Sequence, residues 1–263
     1  MFVTNRSGSI LFRLVCIAAV TCLWSGCAIR SVYIPLSKNV SLFDSNKQIQ
    51  AAGYLGANHV ELQLSNNPFN HFAIAGNIDF GAGIANYDLA TGVYGYNKSG
   101  QWRYELLGGY GYNNNSDYNG GNILSKSEQV SYDVSSLYHK VYIRPAIGFC
   151  SNIRMYRISY SFSLSADVSW VYFKDYLFRE TDEKLSTPAM PVYIVNKDYN
   201  NKSAFLLEPC ITNKVGIKNI YAILQLQAII PYSQQIDVRN TKFSPVIAYS
   251  LGLQYNFKFR SKK

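Results

Sequence analysis

From about residue 46 to residue 258, polar or small residues alternate with apolar or aromatic ones, the period that sends successive side chains to opposite faces of a β-strand. Over residues 156–172 the phase never slips. Tyr156, Ile158, Tyr160, Phe162, Leu164, Ala166, Val168, Trp170 and Tyr172 make one face, and Arg157, Ser159, Ser161, Ser163, Ser165, Asp167 and Ser169 make the other. Such a strand spans roughly 55 Å at about 3.3 Å per residue, more than a bilayer needs. Ten strands are expected: 46–56, 57–65, 70–80, 86–97, 101–113, 137–149, 154–175, 203–214, 218–230 and 244–258.

An apolar face opposite a polar one suits a soluble barrel or sandwich with its apolar side inward, or a membrane barrel with its apolar side outward. Connection lengths favour the membrane barrel. Short links ("NNPF", "NKSG", "SNI", "VGI") alternate with long ones, among them "NNNSDYNGGN" and the stretch from Tyr176 to Lys202. Membrane barrels have short turns on one side and longer loops on the other. The expectation is an all-β, closed, antiparallel, up-and-down transmembrane barrel of about ten strands, within a range of eight to twelve.

Composition agrees. Aromatics make up 15% of the chain, 22 residues being Tyr, and only 16% is charged, against about 25% in a soluble domain. Beyond the N-terminus no run of 18 apolar residues could form a membrane helix. The net charge of +9 is scattered except for Lys258, Arg260, Lys262 and Lys263, a pattern that argues against a nucleic-acid partner.

The first 26 residues have the basic start (Arg6, Arg13) and short apolar core of an export signal. "SGC" at 25–27 resembles the lipobox of bacterial lipoproteins, which implies cleavage before Cys27 and acylation of that cysteine. Trp24 departs from the pattern, and the other reading is an ordinary cleaved signal. Residues 27–45 then form a lipidated periplasmic tether, 46–258 the barrel and 259–263 a basic tail. Cys150 and Cys210 remain, on strands that are not neighbours, and are expected to be free thiols.

The last strand, "YSLGLQYNF", carries Ser250, Gly252, Tyr255 and Phe257 in the spacing of the C-terminal signal read by the bacterial barrel-assembly machinery, which it resembles. With "YIPLSKN", "YGYN", "GGYGYN", "IRPAIGF" and "LLEPCIT", the chain is similar to a loose, porin-like group of Bacteroidota outer-membrane β-barrel lipoproteins. That resemblance implies a Gram-negative outer-membrane address, membrane lipid as surroundings and no established reaction.

With the apolar face toward lipid, Glu61, Asp79, Arg103, Glu105, Arg144, Arg157, Asp167, Glu208 and Lys214 face the lumen. Arg144 and Glu208 occupy matching places in "IRPAI" and "LEPCI", and only serines of strand seven separate them. A buried charge needs a partner, so an ion-pair network of Arg144, Glu208, Arg157, Asp167, Arg103 and Glu105 is expected. It reads first as a plug that stiffens the barrel and second as a selectivity filter or ligand site. Pro145 and Pro209 suggest bulges or the ends of paired regions.

No metal-ligand spacing occurs among His59, His71 and His139, and Asp133 with His139 is the nearest approach to a catalytic pair. No cofactor or enzymatic activity is expected. The functional expectation is a lipid-anchored barrel with a structural or surface-interaction role, any extracellular ligand docking on loops 113–136 and 176–202. The alternatives are a narrow channel for small polar solutes and a soluble, lipocalin-like periplasmic carrier.

Overall fold

The computed structural model describes residues 33–43, 47–55, 59–81, 83–116, 130–153, 158–187, 190–233 and 247–258. Among them there is no helix. The strands are β1 (Gln48–Leu55), β2 (His59–Phe69), β3 (Phe72–Gly81), β4 (Ile84–Tyr96), β5 (Trp102–Asn115), β6 (Val130–Ile153), β7 (Ile158–Thr187), β8 (Met190–Ile217), β9 (Ile220–Ala228), β10 (Ile230–Tyr232) and β11 (Ile247–Lys258). Each is antiparallel to its chain neighbour through β8. β8 pairs with β9 and β10, β9 with β11, and β11 with β1. β9 and β10 are two pieces of one strand, so the chain is a closed ten-stranded barrel.

The two pieces meet opposite a proline. Leu207 pairs with Ile230 and Cys210 with Gln227, which sets Pro209 against Ala228. Proline has no N–H to give, so the ladder breaks there. Pro145 acts the same way, inside a gap between Ile143↔Val168 and Ala146↔Ser165. Neither proline makes a bulge or ends its own strand. The register resumes unchanged on both sides, so the expected bulges are absent and the paired stretches are interrupted instead.

The β2–β3, β4–β5, β6–β7 and β8–β9 junctions share one rim with the start of β1 and the end of β11. This is the terminal rim. At the far rim, β5 stops at Asn115↔Ser136 and β10 at Tyr232↔Phe205, while β6, β7 and β8 continue as a three-stranded sheet. Much of the loop expected over residues 176–202 is therefore paired strand, from Tyr176↔Tyr199 to Asp182↔Val192. Its Asn, Asp and Lys content reads as loop, but both faces of a projecting hairpin can be polar.

The apolar face points outward. Leu62, Leu64, Ile74, Leu106, Val141, Ile143, Leu164, Val168, Leu224 and Leu226 are all exposed. Aromatics mark the edges of this band: Trp102 near the terminal rim packs edge-on to Phe149 at 5.4 Å, and Trp170 stacks on Tyr172 at 5.9 Å nearer the far rim. From Trp102 to Tyr112 is ten steps along β5. That is ~33 Å of strand, or about 25 Å of height at a tilt near 40°, which matches the apolar belt of a membrane barrel.

Much of the inward face is polar: Gln50, Glu61, Gln63, Ser65, Asn77, Arg144, Asp167, Glu208, Gln225 and Gln254 are buried, beside an apolar patch of Ala73, Ala75, Ala90, Tyr94 and Leu107 on β3–β5. Toward the far rim it becomes aromatic, with Tyr138, Phe173, Tyr176 and Phe178 in one cluster. A bulge where Leu137↔Asp175 gives way to Tyr138↔Phe173 changes the parity of β7. It keeps Tyr176 and Phe178 inward after Phe173.

The main departure from expectation is residues 33–43. The described part of the expected tether lies inside the barrel. Tyr33, Ile34, Lys38, Val40, Leu42 and Phe43 are all buried. Ile34 packs with Ile84 at the far end of β4, and Phe43 with Ala73 and Tyr94 at the opposite end of β3 and β4. The segment thus runs the length of the lumen. Near its lower end Leu42, a non-glycine residue, is held at φ 44°, and β1 begins at the terminal rim.

Candidate functional site

The threaded segment and the wall around it form the site. An extended backbone with no strand partner must satisfy its N–H and C=O groups by other means. Here side chains do so. Gln225 grips Lys38 from both sides: the Lys38 N–H donates to Gln225 Oε1 at 2.9 Å, and Gln225 Nε2 donates to the Lys38 carbonyl at 2.6 Å. The Ser37 N–H donates to Glu61 Oε2 at 2.9 Å, and Gln63 Nε2 donates to the Ser37 carbonyl at 2.8 Å. Further down, Lys214 Nζ reaches the Val40 carbonyl at 2.7 Å and Arg103 Nη1 the Leu42 carbonyl at 2.9 Å. Tyr138 OH donates to the Ile34 carbonyl at 3.3 Å.

Beside this runs a buried ion network. β6 alternation places Lys140, Tyr142 and Arg144 inward, and β7 and β8 bring Asp167 and Glu208 against them. Arg144 Nε meets Asp167 Oδ1 at 2.6 Å, and Nη2 meets Oδ2 at 3.0 Å, a two-pronged pair. Lys38 Nζ lies 2.8 Å from Asp167 Oδ2 and 2.6 Å from Glu208 Oε2. Lys140 Nζ lies 3.2 Å from Asp167 Oδ2 and 2.6 Å from Glu208 Oε1. Tyr33 OH donates to Glu208 Oε1 at 2.9 Å, and Gln227 Nε2 donates to Oε2 at 2.8 Å. Three cations surround two carboxylates. Part of the excess positive charge rests on the Tyr142 ring, whose centroid is 4.8 Å from the Arg144 guanidinium and 5.1 Å from Lys140 Nζ. The Tyr142 hydroxyl in turn donates to Asp88.

Sequence reasoning expected Arg144 to face Glu208. The structure gives Arg144 to Asp167, and Glu208 takes Lys38 and Lys140. Arg103 faces the lumen nearer the terminal rim, on the Leu42 carbonyl, while Glu105 lies between Arg103 and these five charges, feeling the charge of Arg144 and the backbone N–H groups of Ser41 and Leu42. Arg157 and Cys27 lie outside the described residues. On β11, the Ser37 hydroxyl donates to Ser250 Oγ at 2.8 Å, and Gly252 leaves room for the Tyr54 ring. Tyr255 and Phe257 point outward with rings 4.5 Å apart. Cys150 and Cys210 are free, on β6 and β8 with β7 between them. His139 bonds the Tyr110 hydroxyl on the outer face, and the side chain of Asp133 lies outside the described residues.

Tyr33, Lys38 and Lys140 were missed. Lys140 had a signal, since it shares parity with Arg144 four residues on. Lys38 and Tyr33 had none, because a strand touched on all sides shows no period.

Small residues complete the fit. A Cβ at Gly148 would overlap Leu42 Cδ1, so glycine there makes the space that the segment fills. A polar cavity of about 60 Å³ remains at the terminal rim, beside Leu42, Gln48, Arg103, Ser161, Lys214 and Gln254. Among the described residues no three His, Cys, Asp or Glu could hold a metal ion. No protein-family model matches the chain, and no curated protein matches it.

The network's charges face one another, with one cation in excess, and one of the three cations, Lys38, belongs to the threaded segment.

Proposed function

We propose that this chain is an outer-membrane β-barrel of a Gram-negative bacterium, lipid-anchored through Cys27, with a structural or surface-interaction role and a stoppered lumen. The observation that carries the role is residues 33–43, buried along the lumen and bonded to its wall. A solute path would have to cross the ion network and then the aromatic cluster around Tyr138 and Phe173. The membrane setting rests on the outward apolar band and its aromatic edges. A soluble carrier would need the reverse arrangement, with its apolar face lining the cavity.

Of the described elements, the β6–β7–β8 sheet beyond the far rim extends furthest and is the natural docking element. Two measurements test the reading together. The chain expressed in a Gram-negative host is expected in the outer-membrane fraction, extracted only with detergent. The purified barrel is expected to give background conductance in planar bilayers. A detergent-free soluble chain, or steady single-channel currents, would sink it.

A further inference from the structure

The direction of the threaded segment has a topological result. Chain order places Phe43 at the terminal rim and Ile34 at the level of Ile84, next to the far rim. Everything preceding Tyr33 therefore joins the segment at its far-rim end. In a membrane barrel the rim with both chain ends and short turns is periplasmic, and the other rim is outside. An anchor at Cys27 facing the periplasm would then need a route back.

No such route is open. Six residue steps separate Cys27 from Tyr33, at most ~22 Å when fully extended. The level of Phe43 lies about eight β3 residues below that of Ile34, from Ala73 to Gly81, which is about 20 Å of height at a tilt near 40°, so the linker would have to run straight down, fully stretched. The lumen is already filled by the segment itself, and the remaining way down crosses the apolar outer wall.

The geometry points to a chain threaded through its own barrel, which delivers its N-terminal end, with the Cys27 attachment position, to the outer face of the membrane. Acyl chains on Cys27 then enter the outer leaflet, and the anchor is a cell-surface feature, not a periplasmic one. This rests on the membrane-barrel reading above.

The fastening supports a fixed direction. Tyr33 OH is held by Glu208 and by Lys140 Nζ at 3.0 Å, and its ring lies 5.4 Å from that of Tyr138. Lys38, five residues on, is locked to Asp167 and Glu208.

The test uses the full chain in intact cells with a short epitope at one of three places: directly after Cys27, between residues 238 and 239 on the far-rim side, or after Lys263. Heat-modifiable gel mobility checks that each tagged chain is folded. Impermeant antibody is expected to label the first two in intact cells and the third only after the outer membrane is opened. If the 238–239 tag is labelled and the Cys27 tag is not, threading to the surface is wrong while the barrel reading survives. If the 238–239 tag is also hidden, the membrane orientation fails and the proposal falls with it. A tag after Cys27 could displace the segment, so a Ser37→Cys/Ser250→Cys version of that chain is run in parallel. A reductant-sensitive cross-link in the surface-labelled chain supports threading; surface labelling of only the uncross-linked fraction overturns it.

Discussion

Lys38 Nζ sits 2.6 Å from Glu208 Oε2, joining a residue of the threaded segment to the barrel wall across 170 positions of sequence. Both side chains are almost fully buried. The pair belongs to a cluster with one more cation than carboxylates, so its members are not equivalent.

Asp167 contacts all three cations, and its loss leaves them with Glu208 alone. Asp167→Asn is expected to destabilise the barrel by about 3–5 kcal/mol. Lys38→Met leaves two cations on two carboxylates and should cost less, on the order of 1–2 kcal/mol. Urea unfolding of the detergent-solubilised barrel, followed by tryptophan fluorescence, gives the order. Equal losses would contradict the charge count.

Gln225 binds both the N–H and the carbonyl of Lys38. Gln225→Ala leaves two buried backbone groups unmet and is expected to cost about 1–3 kcal/mol. Gln225→Glu keeps one acceptor but loses the donor, and adds a buried charge. It should be worse than alanine in the same unfolding assay.

Gly148→Ala sets a methyl against Leu42 Cδ1. The segment must shift at its lower end, and the unfolding midpoint should fall. Adding Leu42→Ala should recover most of the loss, because the flexible side chain is the nearest obstacle. The Phe162 carbonyl and Ser163 Cβ, both 3.0 Å away, keep the rescue short of complete. Absence of any rescue would mean that Leu42 does not occupy this position.

Deleting residues 33–43 empties the lumen while leaving the strands. The expected result is measurable conductance in planar bilayers where the full chain gives none, provided the deleted chain keeps heat-modifiable mobility. A silent but folded deletion would show that the wall side chains close the lumen by themselves.

Leu224 faces outward at mid-strand, 38% exposed. Leu224→Arg puts a charge in the apolar band at about 2–4 kcal/mol and is expected to block membrane assembly. Normal assembly would count against a lipid-facing β9.

The alternation of residues 156–172 and of β9 made the barrel and its facing legible. Parity alone then placed Glu61, Asp79, Glu105, Arg144, Asp167 and Glu208 inside. The pairing within the network was not legible, since parity fixes the face and not the height, and the Arg144–Asp167 contact depends on register. The extended β7–β8 hairpin was hidden by loop-like composition. Residues 33–43 were hidden most deeply. Amphipathic patterns arise where one side meets water or lipid and the other protein, and a segment enclosed on every side has no such contrast. The available trace was on the wall: an inward set of Gln, Asn and Ser suited to gripping a peptide backbone.

The double hold of Gln225 on Lys38 spans 187 residues, and the Ser37–Ser250 bond spans 213. Contacts so distant in sequence form late. The segment is gripped on all sides only when β11 meets β1 and the ring shuts. Its last wall contacts are therefore made as the seam closes, the strands standing round it as staves round a core. Once the last seam is made, the core cannot slide out without dragging Lys38 past a tight aromatic collar. The finished barrel is a one-way assembly, held by the order of its construction as well as by its bonds.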